Sequence, residues 1–193
     1  QQRTFNLKGD IDKVFFLAAP HHVYRVYTSN LAEEVDTHLT VELAGRRLEH
    51  DNRSGTDLSS FIEFQNYLPH HTGVIITIRN LSEKDEGWGP DKWYMIHLDD
   101  LGEGDPYEPD DVNGVPIQIG APQQRAFHPH NDVDRVRFTA QPYRRYVVQT
   151  YSLAPGVDTV LNLYVDARYL NNDDRAQGDA SSYLSFYHDG TDP

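Results

Sequence analysis

The sequence contains no cysteine, a single methionine and 17 basic residues against 30 acidic ones, which gives a formal net charge of −13. Without cysteine the chain can form neither a disulfide nor a thiolate metal site. Nucleic-acid binding needs a basic surface that displaces counterions from phosphates, so the acidic balance argues against a nucleic-acid partner. No apolar run approaches the ~20 residues that cross a bilayer, and the sequence therefore predicts no transmembrane segment.

An internal repeat is the strongest signal in the chain. Residues Gly9–Pro20 (GDIDKVFFLAAP) match Asn131–Pro142 (NDVDRVRFTAQP) at an offset of 122 residues. The same offset aligns Gln1–Phe5 with Gln123–Phe127, and the alignment needs no gap as far as Phe64. A match of this length predicts two copies of one folding unit.

The segment between the copies has a different composition. Residues 101–114 are rich in glycine, proline and acidic side chains and poor in apolar ones. Such a composition is typical of a linker. We therefore expect a first copy over residues 1–100, an acidic linker over 101–114 and a second copy over 115–193.

Short alternating runs of apolar residues, separated by turn residues, predict an all-β chain. Side chains alternate across a strand, so positions that are apolar in both copies should face the core. These matched positions are Val14, Phe16 and Ala18 with Val136, Phe138 and Ala140; Tyr24, Val26 and Thr28 with Tyr146, Val148 and Thr150; Leu39, Val41 and Leu43 with Leu161, Leu163 and Val165; and Ile62 and Phe64 with Leu184 and Phe186. About seven strands per copy indicate two tandem antiparallel β-sandwich modules, of jelly-roll or Ig-like type.

Each copy lacks strands that the other has. Val115–Ile119 has no counterpart in the first copy, and Gly73–Asn80 and Lys92–Leu98 have none in the second. Unpaired sheet edges and an uncovered core are costly. We therefore expect the missing strands to come from neighbouring copies of the chain, or from further domains of a longer chain.

The outward face of the first copy is predicted to carry an apolar patch that the second copy lacks. The patch consists of Phe15, Leu17, Val23 and Tyr27, at the positions where the second copy has Arg137, Thr139, Arg145 and Gln149. An apolar patch on one copy alone indicates a contact surface rather than shared core. We predict that these four residues lie in a contact between domains or subunits.

Catalysis has little support in the sequence. It contains neither a Gly-x-Ser-x-Gly elbow nor a His-Glu-x-x-His helix. The histidines do not recur: His21 aligns with Tyr143, and His50 aligns with Asn172. Duplicated chemistry would need the same side chains twice, so we predict that the chain is not an enzyme.

Aspartates at the turns recur and could hold Ca²⁺, which takes six to eight oxygen ligands. They are Asp10, Asp12, Asp36, Asp51 and Asp57, which recur as Asp132, Asp134, Asp158, Asp173 and Asp179. Aspartates at turns also accept hydrogen bonds from backbone N–H groups. The loop glycine moves from Gly55 to Gly178, off the common offset, which a loop dependent on one sharp glycine turn would not tolerate. Ca²⁺ binding and turn capping both stay open for these residues.

The order of several short motifs resembles a known family. The motifs are Tyr107–Asp111, Asp10–Phe16 and Asp132–Phe138, Tyr24–Thr28, Val35–Leu39, Asp51–Ser60 and Gly73–Asn80. Over nearly the whole chain this order resembles the bacterial pre-peptidase C-terminal domain. The resemblance implies a secreted or cell-surface β-sandwich, some relatives of which bind collagen, carbohydrate or calcium. It also implies that Glu108 and Asp110 are the better candidates for Ca²⁺ ligands.

Two functions follow as hypotheses. The first is a non-enzymatic, extracellular structural or adhesive repeat module, as a subunit or fragment of a surface protein or filament. The alternative is a region of a secreted hydrolase that binds its protein or carbohydrate substrate. Further copies beside this chain in the full gene would favour the first hypothesis, and a peptidase domain would favour the second.

Overall fold

The computed structural model describes residues 1–110, 112–129, 131–165 and 167–190. Over these residues the chain forms fourteen β-strands, a short 3-10 turn at Asp85–Gly87 and no α-helix, so the predicted all-β class is confirmed. No helix in the described part of the chain is long and apolar enough to cross a membrane. The chain divides into two compact units, Gln1–Arg137 and Phe138–Pro193.

The first unit contains two open, four-stranded antiparallel sheets. In spatial order, the first sheet consists of β1 (Gln2–Thr4), β8 (Trp93–Glu103), β3 (His22–Ser29) and β6 (Phe61–Gln65). The second sheet consists of β2 (Ile11–Ala18), β7 (Thr72–Asn80), β4 (Thr37–Leu43) and β5 (Arg46–His50). A short parallel pair, β9 (Val115–Pro116) with β10 (Val136–Arg137), completes this unit.

One hydrophobic core joins the two sheets of the first unit, because alternate residues of β3, β4, β6 and β7 point into it. Leu39, Val41 and Val26 are fully buried, as the matched positions predicted. Phe5, which follows β1, stacks on Tyr94 of β8 with ring centroids 4.7 Å apart. Burying a side chain of this size stabilises the folded state by roughly 1.5–3 kcal/mol.

The predicted apolar patch is present only in part. Phe15 and Leu17 are 65% and 60% exposed, and Tyr27 is half-buried. Val23 is buried at 1% exposure, so it is not part of the exposed patch. The pairing of β3 with β8 shifts register between Val23 and Tyr24. The extra residue of this bulge, Leu101, lies in β8, whereas β3 pairs with β6 without interruption, so Val23 and Tyr24 lie on opposite faces of β3.

The second unit repeats the strand pairing of the first. It contains β11 (Arg144–Gln149), β12 (Leu161–Val165), β13 (Arg168–Asn172) and β14 (Tyr183–His188). Tyr146 pairs with Phe186 as Tyr24 pairs with Phe64, and Leu161 pairs with Asn172 as Leu39 pairs with His50. The 122-residue repeat therefore extends from the sequence to the hydrogen-bond register.

The structure differs from the sequence-based predictions at two places. Val136, the counterpart of half-buried Val14, is 41% exposed. Val14 lies in an eight-residue strand that pairs with β7 along its length, whereas Val136 lies in the two-residue strand β10. The predicted linker also begins too early, because β8 continues as far as Glu103, which pairs with His22 of β3.

Candidate metal centre

Three carboxylates converge in the segment that precedes the second repeat and in that repeat's first turn. Asp105, Glu108 and Asp134 each place an oxygen atom within 4.8 Å of the other two. Asp110 lies beside them and is 2% exposed, and Asp105 is 6% exposed. The structure thus brings together Glu108 and Asp110, which the resemblance implied, and Asp134, one of the recurring turn acids. Asp111, in the same motif, lies outside the described residues.

Backbone N–H groups hold these carboxylates in place. Asp105 accepts hydrogen bonds from the N–H groups of Tyr107 at 2.8 Å and Ala126 at 3.1 Å. Asp110 Oδ2 accepts from the N–H of Arg135 at 3.0 Å. Because the donors belong to the backbone, the local turns fix the carboxylates.

The guanidinium of Arg125 supplies positive charge to the cluster. It donates to Asp134 Oδ1 at 3.1 Å, contacts Asp110 Oδ2, and lies over the ring of Tyr107 at 4.5 Å from its centroid. Its side chain is 12% exposed, and that of Asp110 is fully buried. Arg125 therefore neutralises part of the negative charge, on the side of Asp110 and Asp134.

Two buried oxygen atoms of the cluster have no hydrogen-bond partner among the described residues: Oε1 of Glu108 and Oδ1 of Asp110. Leaving a buried acceptor unsatisfied costs roughly 1–3 kcal/mol, and more when the group is charged. Carboxylate oxygens are the ligands that Ca²⁺ prefers. The donor set therefore fits Ca²⁺, with Asp105, Glu108, Asp110 and Asp134 as the residues that would hold it.

The electrostatics of the cluster favour an added cation. Burial, followed by the charges of Asp132, Asp110 and Asp105, raises the pKa of Glu108 to about 7. Burial also raises the pKa of Asp134, although Arg125 opposes this shift. Both carboxyl groups thus resist ionisation in the metal-free protein, and a bound divalent cation would reverse the effect.

The counterparts of these acids in the first repeat make ordinary protein contacts. Asp12 Oδ1 accepts from Arg3 at 3.1 Å and Asp12 Oδ2 accepts from the hydroxyl of Tyr94 at 2.7 Å. Asp10 accepts from the N–H of Asn6 at 3.0 Å, as Asp132 accepts from that of His128 at 2.9 Å. Turn capping therefore describes Asp10 and Asp132, and ion pairing and hydrogen bonding describe Asp12.

A second acidic group contains other predicted residues. Asp158, Asp173 and Asp174 place carboxylate oxygens within 4.8 Å of one another, but all three are exposed. In the first repeat, burial and the neighbouring Asp51 raise the pKa of Asp36. Because exposed acids are solvated by water, this group makes a weaker metal site than the cluster around Glu108.

The fifth predicted aspartate, Asp57, belongs to neither group. It accepts from the N–H of Ser59 at 3.0 Å and from its hydroxyl at 2.6 Å. Asp179 accepts from Ser181 in the same way, at 3.1 and 2.6 Å. This recurring pair is a turn of the type expected for aspartate next to serine.

Other recurring polar residues form equivalent hydrogen bonds in the two repeats. The hydroxyls of Thr28 and Thr37 lie 2.6 Å apart, and those of Thr150 and Thr159 lie 2.7 Å apart. The N–H of each following serine, Ser60 or Ser182, donates to the first threonine of its pair at 2.8 Å. These residues therefore connect strand ends to one another in both copies.

His50 has an equivalent role to the asparagine that replaces it. Its Nδ1 accepts from the N–H of Phe61 at 3.2 Å, and Asn172 Oδ1 accepts from the N–H of Tyr183 at 2.7 Å. The side-chain acceptor is kept although the residue type changes. His50 thus has a structural contact at this position.

Asp105 of the acidic cluster, and Arg125, which pairs with two of its carboxylates, were not predicted. The alignment of Arg3 with Arg125 and of Asp12 with Asp134 was a usable signal for Arg125. Comparisons with protein-family models, with curated proteins and with solved structures give no match. The resemblance to the pre-peptidase C-terminal domain stays a prediction, and the case for the metal centre depends on geometry.

Proposed function

We propose that the chain is a non-enzymatic structural or adhesive module of the cell exterior, built from two tandem β-sandwich repeats, with a Ca²⁺ site in the segment that precedes the second repeat. The duplicated hydrogen bonds of Thr28, Ser60 and His50 support the structural part of this proposal. Polar residues that recur for architecture in both copies are what a repeat module requires.

The observation that carries the Ca²⁺ site is the pair of buried, unpartnered oxygen atoms on Glu108 and Asp110. These oxygens belong to a cluster in which Asp105 and Asp134 are also present. A cation bound there joins residues 105–110 to the turn that contains Asp134. The expected consequence is a stiffer segment before the second repeat.

Thermal unfolding with excess CaCl₂ and with a chelator tests the proposal. A ligand at about 100 times its Kd stabilises the folded state by about 2.7 kcal/mol, which corresponds to a rise in Tm of several degrees for a protein of this size. Glu108→Gln should abolish the rise while keeping the side-chain shape and the contact between Asp110 and Arg125. Glu83→Gln, an exposed control, should leave the rise intact.

An unchanged Tm in CaCl₂ for the wild-type chain would remove the Ca²⁺ site from the proposal. An equal rise for the wild-type chain and Glu108→Gln would place the bound ion elsewhere. MgCl₂ at the same concentration is a specificity control, because Mg²⁺ requires near-ideal octahedral geometry and keeps several waters. We expect a smaller rise with Mg²⁺ than with Ca²⁺.

A further inference from the structure

The second repeat contains a strand, β12, that has a neighbour on one side only. Its counterpart in the first repeat, β4, lies inside a sheet, between β5 and β7. β12 pairs with β13 in the register that β4 has with β5, but these two strands form a sheet by themselves. Apart from this pairing, Leu161–Val165 forms no backbone–backbone hydrogen bond with a described residue. Because only alternate residues of a strand direct their N–H and C=O groups toward each neighbour, one edge of β12 keeps free backbone groups.

The inward side chains of β12 are less well covered than those of β4. Leu39, Val41 and Leu43 are 0%, 0% and 4% exposed. The counterparts of these three residues are only half-buried: Leu161, Leu163 and Val165. Apolar side chains that stay in contact with water lose the stabilisation that burial provides. The inward face of β12 therefore gains stability from a further strand beside it.

The free edge of β12 lacks the charged side chains that protect other outer strands. Charged residues and proline at an edge discourage pairing with other chains. In the first unit, the outer strand β2 carries Asp12 and Lys13, and the outer strand β5 carries Arg46, Arg47 and Glu49. The sequence of β12, Leu-Asn-Leu-Tyr-Val, contains neither a charged residue nor a proline. This composition suits a strand that is paired on both sides.

The free backbone groups decide the class of partner. Groups of one kind recur along this edge every second residue, or about 6.8 Å. An extended polypeptide presents complementary N–H and C=O groups at the same spacing, whereas a sugar chain has no such series of alternating donors and acceptors. The edge therefore fits a polypeptide strand.

Strand β7 of the first repeat shows which side chains such a strand needs. It runs antiparallel to β4, and its alternate residues Val74, Ile76 and Ile78 are fully buried in the core. The same register beside β12 places these three residue types next to the half-buried leucines and valine of its inward face. On the outward face, the isoleucine at the position of Ile75 falls opposite Tyr164, which is 77% exposed. Pairs of an aromatic and a β-branched residue across two strands are favourable.

We propose that the free edge of β12 binds one strand of a partner polypeptide, antiparallel to β12, with apolar side chains at alternate positions in the pattern of β7. Main-chain hydrogen bonds supply affinity, and the three inward side chains supply specificity. The bound strand covers the inward face of β12 and joins the partner to the second repeat. This inference rests on the structural role proposed above and does not involve the Ca²⁺ site.

Hydrogen–deuterium exchange of the full chain, in the presence of a chelator, tests the inference. The probe is the acetylated and amidated peptide with the sequence of Thr72–Asn80, and the control peptide has threonine in place of Val74, Ile76 and Ile78. With the probe we expect slower amide exchange in Leu161–Val165, and no change in Thr37–Leu43, which is already paired on both sides. The control keeps the length and the β-branched side chains but should bind at least about tenfold more weakly, because it buries less apolar surface.

A pair of charge variants tests the register. Val160 is 57% exposed and is the counterpart of His38, which lies opposite Arg79 of β7. The arginine of the probe should therefore lie opposite Val160. Since opposite charges attract and like charges repel across a strand pair, Val160→Glu should bind the probe about threefold more tightly than the wild type and Val160→Lys about threefold more weakly. Val147→Glu, at an exposed position of β11, should leave the affinity unchanged.

Equal affinity for the two peptides, or unchanged exchange in Leu161–Val165, would overturn the proposal. Slower exchange in β11 in place of β12 would also overturn it, because the strand would then bind a different edge. If Leu161–Val165 is protected without peptide and loses that protection on dilution, a second copy of the chain covers the edge and the proposal is wrong. The Ca²⁺ test measures Tm with CaCl₂ and this test is made in chelator, so either result can fail without the other.

Discussion

The guanidinium of Arg125 donates a hydrogen bond to Asp134 at 3.1 Å, and Arg3 donates to Asp12 at the same distance, 122 residues earlier in the chain. In the first repeat, Asp12 also accepts a hydrogen bond from the hydroxyl of Tyr94. In the second, Asp134 joins the carboxylates of Asp105 and Glu108. The same ion pair therefore occurs in both copies, as part of a structural contact in the first and of an acidic cluster in the second.

This difference predicts unequal effects of removing the two arginines. Arg125→Gln should destabilise the fold by about 3 kcal/mol, because it leaves the carboxylates of Asp110 and Asp134 without a cation in a buried site. Arg3→Gln should cost no more than about 1 kcal/mol, since that side chain is 30% exposed and Tyr94 still bonds Asp12. Urea unfolding of both variants is the measurement. Equal losses of unfolding free energy would mean that Arg125 stabilises the fold no more than Arg3 does.

The buried serines of the two repeats predict a matched pair of losses. Ser60 and Ser182 are both fully buried. Each contacts a threonine hydroxyl and donates to a backbone carbonyl, and its own N–H donates to a second threonine. Ser60→Ala and Ser182→Ala should each cost about 1–3 kcal/mol in urea unfolding, because a buried carbonyl loses its donor. Ser54→Ala, at an exposed turn, should stay within about 0.5 kcal/mol of the wild type. Losses in only one repeat would contradict the equivalence of the two networks.

The pair of Asp57 and Ser59 predicts a pH effect. The serine lowers the pKa of Asp57, so the pair stabilises the folded state above the ordinary pKa of aspartate. That contribution should be lost as the pH falls through the lowered value. Ser59→Ala should raise the pKa of Asp57 toward its ordinary value, and Ser181→Ala should do the same for Asp179, as measured by carboxyl ¹³C titration. If the two titration curves do not move, these hydrogen bonds are absent in solution.

The exposed pair Phe15 and Leu17 predicts a contact between chains. The double variant Phe15→Arg/Leu17→Thr introduces the residues that the second repeat has at these positions. It should weaken self-association in sedimentation velocity and change Tm little, because both side chains are largely exposed. The phenyl ring of Phe15 lies close over Gly73, so a small loss of stability is expected from that contact. Sedimentation of wild type and variant as identical monomers would mean that the patch is not a contact surface.

Much of the first unit could be predicted from alternation alone. Leu39, Val41 and Phe64 were assigned to the core by comparing the copies, and all three are buried. The burial of Val23 could not be predicted, because alternation assigns a side chain to a face of the sheet and does not show what covers that face. The exposure of Val136 could not be predicted either, since it depends on which strand lies beside it.

The candidate metal centre could likewise be predicted only in part from the sequence. Glu108 and Asp110 came from the order of motifs, and Asp134 came from the recurrence of turn acids. Their meeting with Asp105 depends on how the segment of residues 105–110 folds against the turn of Asp134, which involves hydrogen bonds from Tyr107, Ala126 and Arg135. Backbone donors of this kind leave no pattern in the amino-acid sequence.

The most direct test of the central claim is a calorimetric titration of Ca²⁺ into the metal-free chain and into Glu108→Gln. Glu108 and Asp110 provide the buried oxygens that lack a partner in the described structure. The proposed site predicts one Ca²⁺ bound per chain in the wild type and at least a tenfold weaker affinity in the variant, or about 1.4 kcal/mol. Absence of binding by the wild type, or the same affinity in both proteins, would contradict it.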